Sequence, residues 1–171
     1  MAKTKIVLDA DVIIHFAKGG YLPILPSFLP SYDFIVLDAV YKEICGDTKR
    51  QLDNQIHLLK NIAFQRFEPK GEMMREYAQL IRTKGTGESA CLTFCKFEHD
   101  VVGSSNLADI IDYCEKNGIT YLTTIDFLYY AIKNNKLSKD EVQEFISDVN
   151  AKGSKLPTNI NFDTYISKAN V

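Results

Sequence analysis

Acidic and amide side chains recur in this chain at the points where apolar runs stop or start. Asp9 follows Ile6-Val7-Leu8, and Asp11 comes two residues later in "IVLDADVI". Asp38 and Glu43 lie in "VLDAVYKEICG", Glu88 heads the apolar "GESACLTFC", and Ser105, Asn106 and Asp109 lie in "DVVGSSNLADII". Three kinds of chemistry use carboxylates placed in this way. They cap helices, accepting bonds from the free N–H groups of a first turn. They accept a phosphoryl group, as an Asp-x-Asp after a strand can. They gather a hard divalent cation, Mg2+ or Mn2+, which takes oxygen ligands. Capping is the expected role of Asp38 and of Asp11, with Asp11 also able to support a neighbouring ligand. Glu88 and Asp109 each suit the positive end of their own helix, and Glu43 suits a solvated helix face. Asp9 is different, because it ends an apolar strand where an unpartnered carboxylate is costly to bury.

These groups must be positioned by an alternation of short apolar runs and segments of helical period. Strands are expected at 6–8, 34–37, 64–67, 101–103 and 120–122. Helices are expected at 12–18, 39–45, 48–60, 72–83, 89–97, 107–116, 127–134 and 139–150. Ser138 and Glu141 form a capping-box signature for the last helix, and "TTID" reads as a cap from Thr124. The alternation implies an α/β fold, a three-layer α/β/α sandwich with a central parallel sheet of four to five strands. In such sheets ligands bind outside the carboxyl ends of the strands, where the acids fall. The expected organisation is one domain over 1–153 and a C-terminal extension over 154–171 that reads as loosely packed.

A net charge of −2 and a pI near 5.9 exclude a protein that coats nucleic acid by bulk electrostatics. A local basic patch remains open, with Lys49-Arg50 and the pair Arg82 and Lys84 as candidate phosphate contacts beside their role as ordinary surface charge. No apolar run approaches the ~20 residues of a membrane span, and acids at positions 9 and 11 do not fit a signal peptide. A cytoplasmic protein with no membrane partner is the expectation. The cysteines (Cys45, Cys91, Cys95, Cys114) form no C-x-x-C pair and are expected to be buried thiols.

"IVLDADVI" is similar to the opening of haloacid-dehalogenase-like phosphatases. Those have Thr or Val where this chain has Ile13, and no later acidic pair of the G-D-x-x-x-D kind follows a strand here. A fuller resemblance, over about residues 4–145, is to the PIN domain, the nuclease fold of VapC-type toxin ribonucleases. "IVLDADVIIHFAKGGYLPIL" resembles its first strand, aspartate and helix, and "FIVLDAVYKEI" its second strand and glutamate-bearing helix. "GTGESACLTFCK" resembles its G-E-x-x-A segment, and the stretch from "VVGSSNLADII" to "NNKLS" its closing elements. The resemblance implies metal ligands at Asp9, Glu43 and Glu88, with Asp9 central. The family's fourth acid falls at Asn106, where an amide keeps an acceptor oxygen but loses the charge. Asp109, one helical turn on, or Asp126, after the last strand, are the candidates to restore it. Asp9, Glu43, Glu88 and Asp109 form the implied catalytic set, with Asn106 as a further ligand and Asp11, Asp126 and Ser105, the last through a hydrogen bond to Asp9 or a phosphate, supporting from behind. The implied activity is Mg2+- or Mn2+-dependent hydrolysis of RNA phosphodiester bonds by the toxin of a toxin–antitoxin pair. The implied partners are RNA, a small antitoxin that plugs the acidic pocket, and a second copy of the chain, for which "YLTTIDFLYYA" offers apolar surface. The alternative, motivated by Asn106, is a degenerate PIN domain that binds RNA or protein without cutting.

Overall fold

Ile6, Val7 and Leu8 are fully buried, as expected of a strand covered on both faces rather than one. They belong to β1 (Lys5–Leu8) in a computed structural model that describes residues 2–171. Met1, the first residue of the expected domain, lies outside the described residues. The chain continues through α1 (Ala10–Lys18), β2 (Asp33–Leu37), α2 (Asp38–Glu43), α3 (Gly46–Asp53) and β3 (Ala63–Gln65). It then forms α4 (Glu72–Leu80), α5 (Thr86–Glu98), β4 (Val101–Gly103), α6 (Leu107–Asn117), β5 (Tyr121–Leu122), α7 (Thr124–Lys133) and α8 (Lys139–Ala151). All pairings are parallel and the strand order is β3-β2-β1-β4-β5. Helices α1, α7 and α8 pack in one layer and α4, α5 and α6 in the other, which gives the expected α/β/α sandwich with five strands. Among the described residues, no helix is long and apolar enough to cross a membrane.

The order of the strands decides where a ligand can sit. The chain steps outward from β1 to β3, then crosses back to β4 on the other side of β1. At this reversal the loops after β1 and β4 diverge and leave a crevice at the carboxyl ends of the two strands.

Two segments depart from their sequence expectations. The helix expected over 48–60 divides: α3 stops at Asp53, and a π-helical turn, Asn54–Leu59, follows and is closed by Lys60 in the left-handed conformation (φ 54°). Gln55 is buried in this turn, whereas Leu58 and Leu59 are exposed. The tail after Gly153 is not loosely packed. Leu156, Phe162 and Ala169 are buried, the Tyr165 hydroxyl donates to Asp126 at 2.7 Å, and the Tyr130 hydroxyl donates to the Ala169 carbonyl at 2.9 Å. These three buried residues are spaced six and seven apart, a spacing that matches neither a strand nor a helix. Helix α7, expected to offer surface to a second copy, buries Phe127, Leu128, Tyr130 and Ala131 within its own chain. Three of the four cysteines are buried as expected, and Cys45 is exposed.

Phe16 of α1 is fully buried and meets Phe28, Phe127 and Phe145 at ring distances of 6.1, 6.0 and 5.0 Å. Phe145 also stacks on Tyr21 at 5.5 Å and covers Gly19, where a Cβ would lie 2.1 Å from its Cε2. Gly19 is therefore what allows α8 to close over the end of α1. The variant Gly19→Ala is expected to lose about 1–3 kcal/mol through overpacking. The measurement is a urea titration, with a lower midpoint and an unchanged slope.

Candidate active site

The site begins with strand register. Leu8 pairs with Gly103, so the residues that follow them, Asp9 and Ser104, are neighbours. The Asp9 N–H donates to the Gly103 carbonyl at 2.8 Å. Its carboxylate accepts from the Ala10 N–H at 2.8 Å and from the Ser104 hydroxyl at 3.3 Å. Asp9 is thus the N-cap of α1, and the capping role expected of Asp11 is not Asp11's. Asp11 accepts instead from the N–H groups of Val12 (2.7 Å) and Ser105 (2.8 Å), tying the loop after β4 to α1. Ser105, expected to reach Asp9 or a phosphate, turns to α7. Its hydroxyl accepts from the Thr124 N–H and donates to Thr124 Oγ1, at 2.8 and 2.7 Å.

Glu43 is the last residue of α2, at the negative end of that helix dipole. Its side chain reaches the opposite end of another helix, where Oε1 accepts from the Gly87 N–H in the first turn of α5 at 2.8 Å. A Cβ at residue 87 would lie 2.6 Å from Glu43 Oε2, so the approach requires glycine. Glu88 follows in the same turn, buried and 8% exposed. The Asn106 amide donates to Glu88 Oε1 at 3.0 Å and to Asp109 Oδ2 at 2.6 Å. Lys84 Nζ donates to the Asp109 carbonyl. Asp9, Glu43, Glu88 and Asp109, with Asp11 and Asn106, line a single open cleft of about 230 Å3 that contains no lysine or arginine.

The electrostatics follow from this placement. Burial pushes the Asp9 carboxyl up to about 7, and the charges of Asp11, Glu88 and Glu43 add to the effect against the lowering bond from Ala10. Burial also raises Asp11, although its backbone bonds oppose this. Glu88 is raised by burial and then by Asp109, with Lys84 and the Asn106 amide pulling the other way. The donor chemistry, several carboxylate oxygens with excess negative charge, fits a hard divalent cation. Among the described residues, however, no three Asp, Glu, His or Cys side chains are already grouped as ligands. Asn106 engages Glu88 and Asp109, and Glu43 is turned to Gly87.

Two further expectations, for Asp126 and Asp38, are corrected. Asp126 is outside the cleft. It closes the capping box of α7 with Thr123, not Thr124, accepting from the Thr123 N–H at 2.8 Å and from Tyr165. Asp38 does not cap α2, whose N-cap is Leu37; it accepts from the Phe67 N–H at 2.9 Å and holds the chain after β3. Lys49 donates to the Tyr41 carbonyl and lies 3.3 Å from the centre of that ring, and Arg50 pairs with Asp47 on its own helix. Arg82 is exposed on the turn before α5, so of the four basic candidates only Lys84 touches a cleft residue. The site residues that sequence reasoning missed are Ser104, which only the register of β1 and β4 brings to Asp9, and Gly87, whose signal is a glycine directly before Glu88. No family model matches the chain, and no curated protein matches it either.

The folded chain binds the Asp9 proton more tightly than the unfolded chain does. This group therefore favours folding fully below its ordinary value of 3.8, and the contribution is lost as pH rises through about 7. At pH 8 the Asp9→Asn protein is expected to be more stable than wild type by up to about 4 kcal/mol, with the difference vanishing near pH 4. Urea midpoints of the two proteins at pH 4 and pH 8 make the measurement.

Proposed function

We propose that this chain is a divalent-metal-dependent ribonuclease of PIN type. The observation that carries the reading is the convergence of Asp9, Glu43, Glu88 and Asp109, from four separate segments, on one lysine- and arginine-free cleft. That cleft lies at the strand reversal, where open α/β sheets take their ligands. When bound there by these carboxylates, Mg2+ or Mn2+ would neutralise phosphate charge and make a water more acidic for attack on phosphorus. The chain's own residues do the positioning. Asp9 is held rigidly by Ala10 and Ser104 and is the central anchor. Glu43 and Glu88 sit at the positive end of α5, which limits the repulsion between them. Lys84, held over the Asp109 carbonyl at the rim, is the side chain best placed to meet a phosphate.

Within this reading the chain is the toxin of a toxin–antitoxin pair, and an antitoxin Arg or Lys fits the acid-lined cleft. A homodimer would use a surface other than α7. The edge strand β3 and the adjoining π turn expose Phe64, Leu58 and Leu59. Asn106 favours a second reading, a module that binds RNA without cutting it, because its amide already joins two of the acids. A phosphoryl-accepting Asp9 has less support. Asp11, the acid that would assist it, has both oxygens engaged by backbone N–H groups.

Wild type is expected to cleave RNA in the presence of Mn2+, and Asp9→Asn to lose more than ~100-fold of that rate. Equal residual cleavage by both proteins would remove the nuclease reading. A second measurement is Mn2+ titration calorimetry of Asn106→Asp. Replacing the amide clip by an anion is expected to tighten Mn2+ binding about tenfold or more over wild type.

A further inference from the structure

Asp11 and Asn106 line a second cavity as well as the acid cleft, and it is the larger of the two, about 740 Å3 against about 230 Å3. Its size lies within the range of about 300–1,000 Å3 that holds small-molecule ligands. The apolar walls come from Leu107 and Ile111 of α6, Ile125 of α7, and Leu156, Ile160 and Ile166 of the tail. Half of that wall therefore belongs to the segment after Gly153, which lies beyond the part of the chain that resembles a PIN domain.

Ser105 donates to Thr124 Oγ1, and Thr124 Oγ1 and His15 Nδ1 share a hydrogen bond of 2.8 Å. His15 stays neutral, lowered to about 4 by burial and by Lys18, so its other ring nitrogen, Nε2, is an uncharged hydrogen-bonding group whose sense, donor or acceptor, follows the tautomer. Lys155 and Lys168 also line the cavity and are exposed. None of the salt bridges among the described residues uses either lysine.

An apolar slot, an uncharged hydrogen-bonding imidazole and two unpaired cations together suit a nucleotide, which has a flat base with donor and acceptor edges and an anionic phosphate. We infer that this cavity is a nucleotide subsite, taking the base and ribose of the RNA residue adjacent to the phosphate held at the acids. The inference rests on the ribonuclease reading, since the two cavities share Asp11 and Asn106 and a strand crossing one enters the other.

The test uses the full chain and a fluorescently labelled single-stranded RNA hexamer in EDTA, with binding read by anisotropy. Ile166 is 85% exposed, so Ile166→Glu puts a repelling charge in the wall without disturbing the core. That variant and the double variant Lys155→Ala/Lys168→Ala are each expected to weaken binding about tenfold. The chain has no tryptophan, so Ile166→Trp supplies a reporter whose emission AMP should quench and ribose 5-phosphate should not. Equal RNA affinity in wild type and both cavity variants overturns the subsite, even where Mn2+-dependent cleavage upholds the nuclease. So does equal quenching by ribose 5-phosphate, which would leave the base without a role. Weakened binding in the cavity variants of a protein that cleaves nothing keeps the nucleotide subsite and removes the nuclease reading.

Discussion

The hydrogen bond from the Asp9 N–H to the Gly103 carbonyl, just past the end of the β1–β4 pairing, fixes a carboxylate inside the molecule where the crossovers diverge. The rest of the site answers that burial. A buried carboxylate needs partners, and Asp9 takes one from the first turn of its own helix and one from the residue beyond the neighbouring strand. Burial raises its proton affinity, and the like charges of Asp11, Glu88 and Glu43 raise it further against the lowering bond from Ala10, where a structural carboxylate's would fall. Strong desolvation combined with like-charge neighbours in a cleft marks sites of function more often than sites of stability.

Asn106 sets the balance between the two functional readings. Both groups beside it, Glu88 and Asp109, are acceptors, so its NH2 must face them, whichever way the amide would otherwise point. The amide converts what would be repulsion among three anions into two hydrogen bonds. That arrangement holds the cleft together in the absence of a cation, and it does so by occupying oxygens that a cation would need. The same residue thus draws Glu88 and Asp109 together while it engages one oxygen of each.

The fold and the main acids were legible in the sequence for one reason. A strand buried on both faces must be a short, uniformly apolar run, and an acid at its end stands out. This marked Asp9, whereas Glu43, Glu88 and Asp109 were singled out by the resemblance, since a carboxylate at a helix head reads as an ordinary dipole partner. Register was not legible. The choice between Ser104 and Ser105 as the partner of Asp9 depends on which residue of β4 faces which of β1, and a shift of one residue reverses the answer. Asp126 and Asp38 were misplaced because a carboxylate near a helix start has the same local sequence whether it caps that helix, a distant loop or a metal. The tail was misread because its buried apolar residues, Leu156, Phe162 and Ala169, follow no strand or helix period.

Asp11 divides the two cavities because of the backbone, not because of its charge. Both of its oxygens accept main-chain N–H groups, from Val12 on α1 and from Ser105 after β4. Those bonds leave it little capacity as a ligand, but they fix the loop that carries Asn106. The same loop sends the Ser105 hydroxyl to Thr124, and through Thr124 to His15. One carboxylate therefore sets the position of the amide facing the acids on one side and of the imidazole lining the larger cavity on the other. A change at Asp11 acts on both cavities through the loop, whereas a change at Ile166 or Lys168 acts on one. The second acid of the Asp-x-Asp pair belongs to the framework that makes the site of the first.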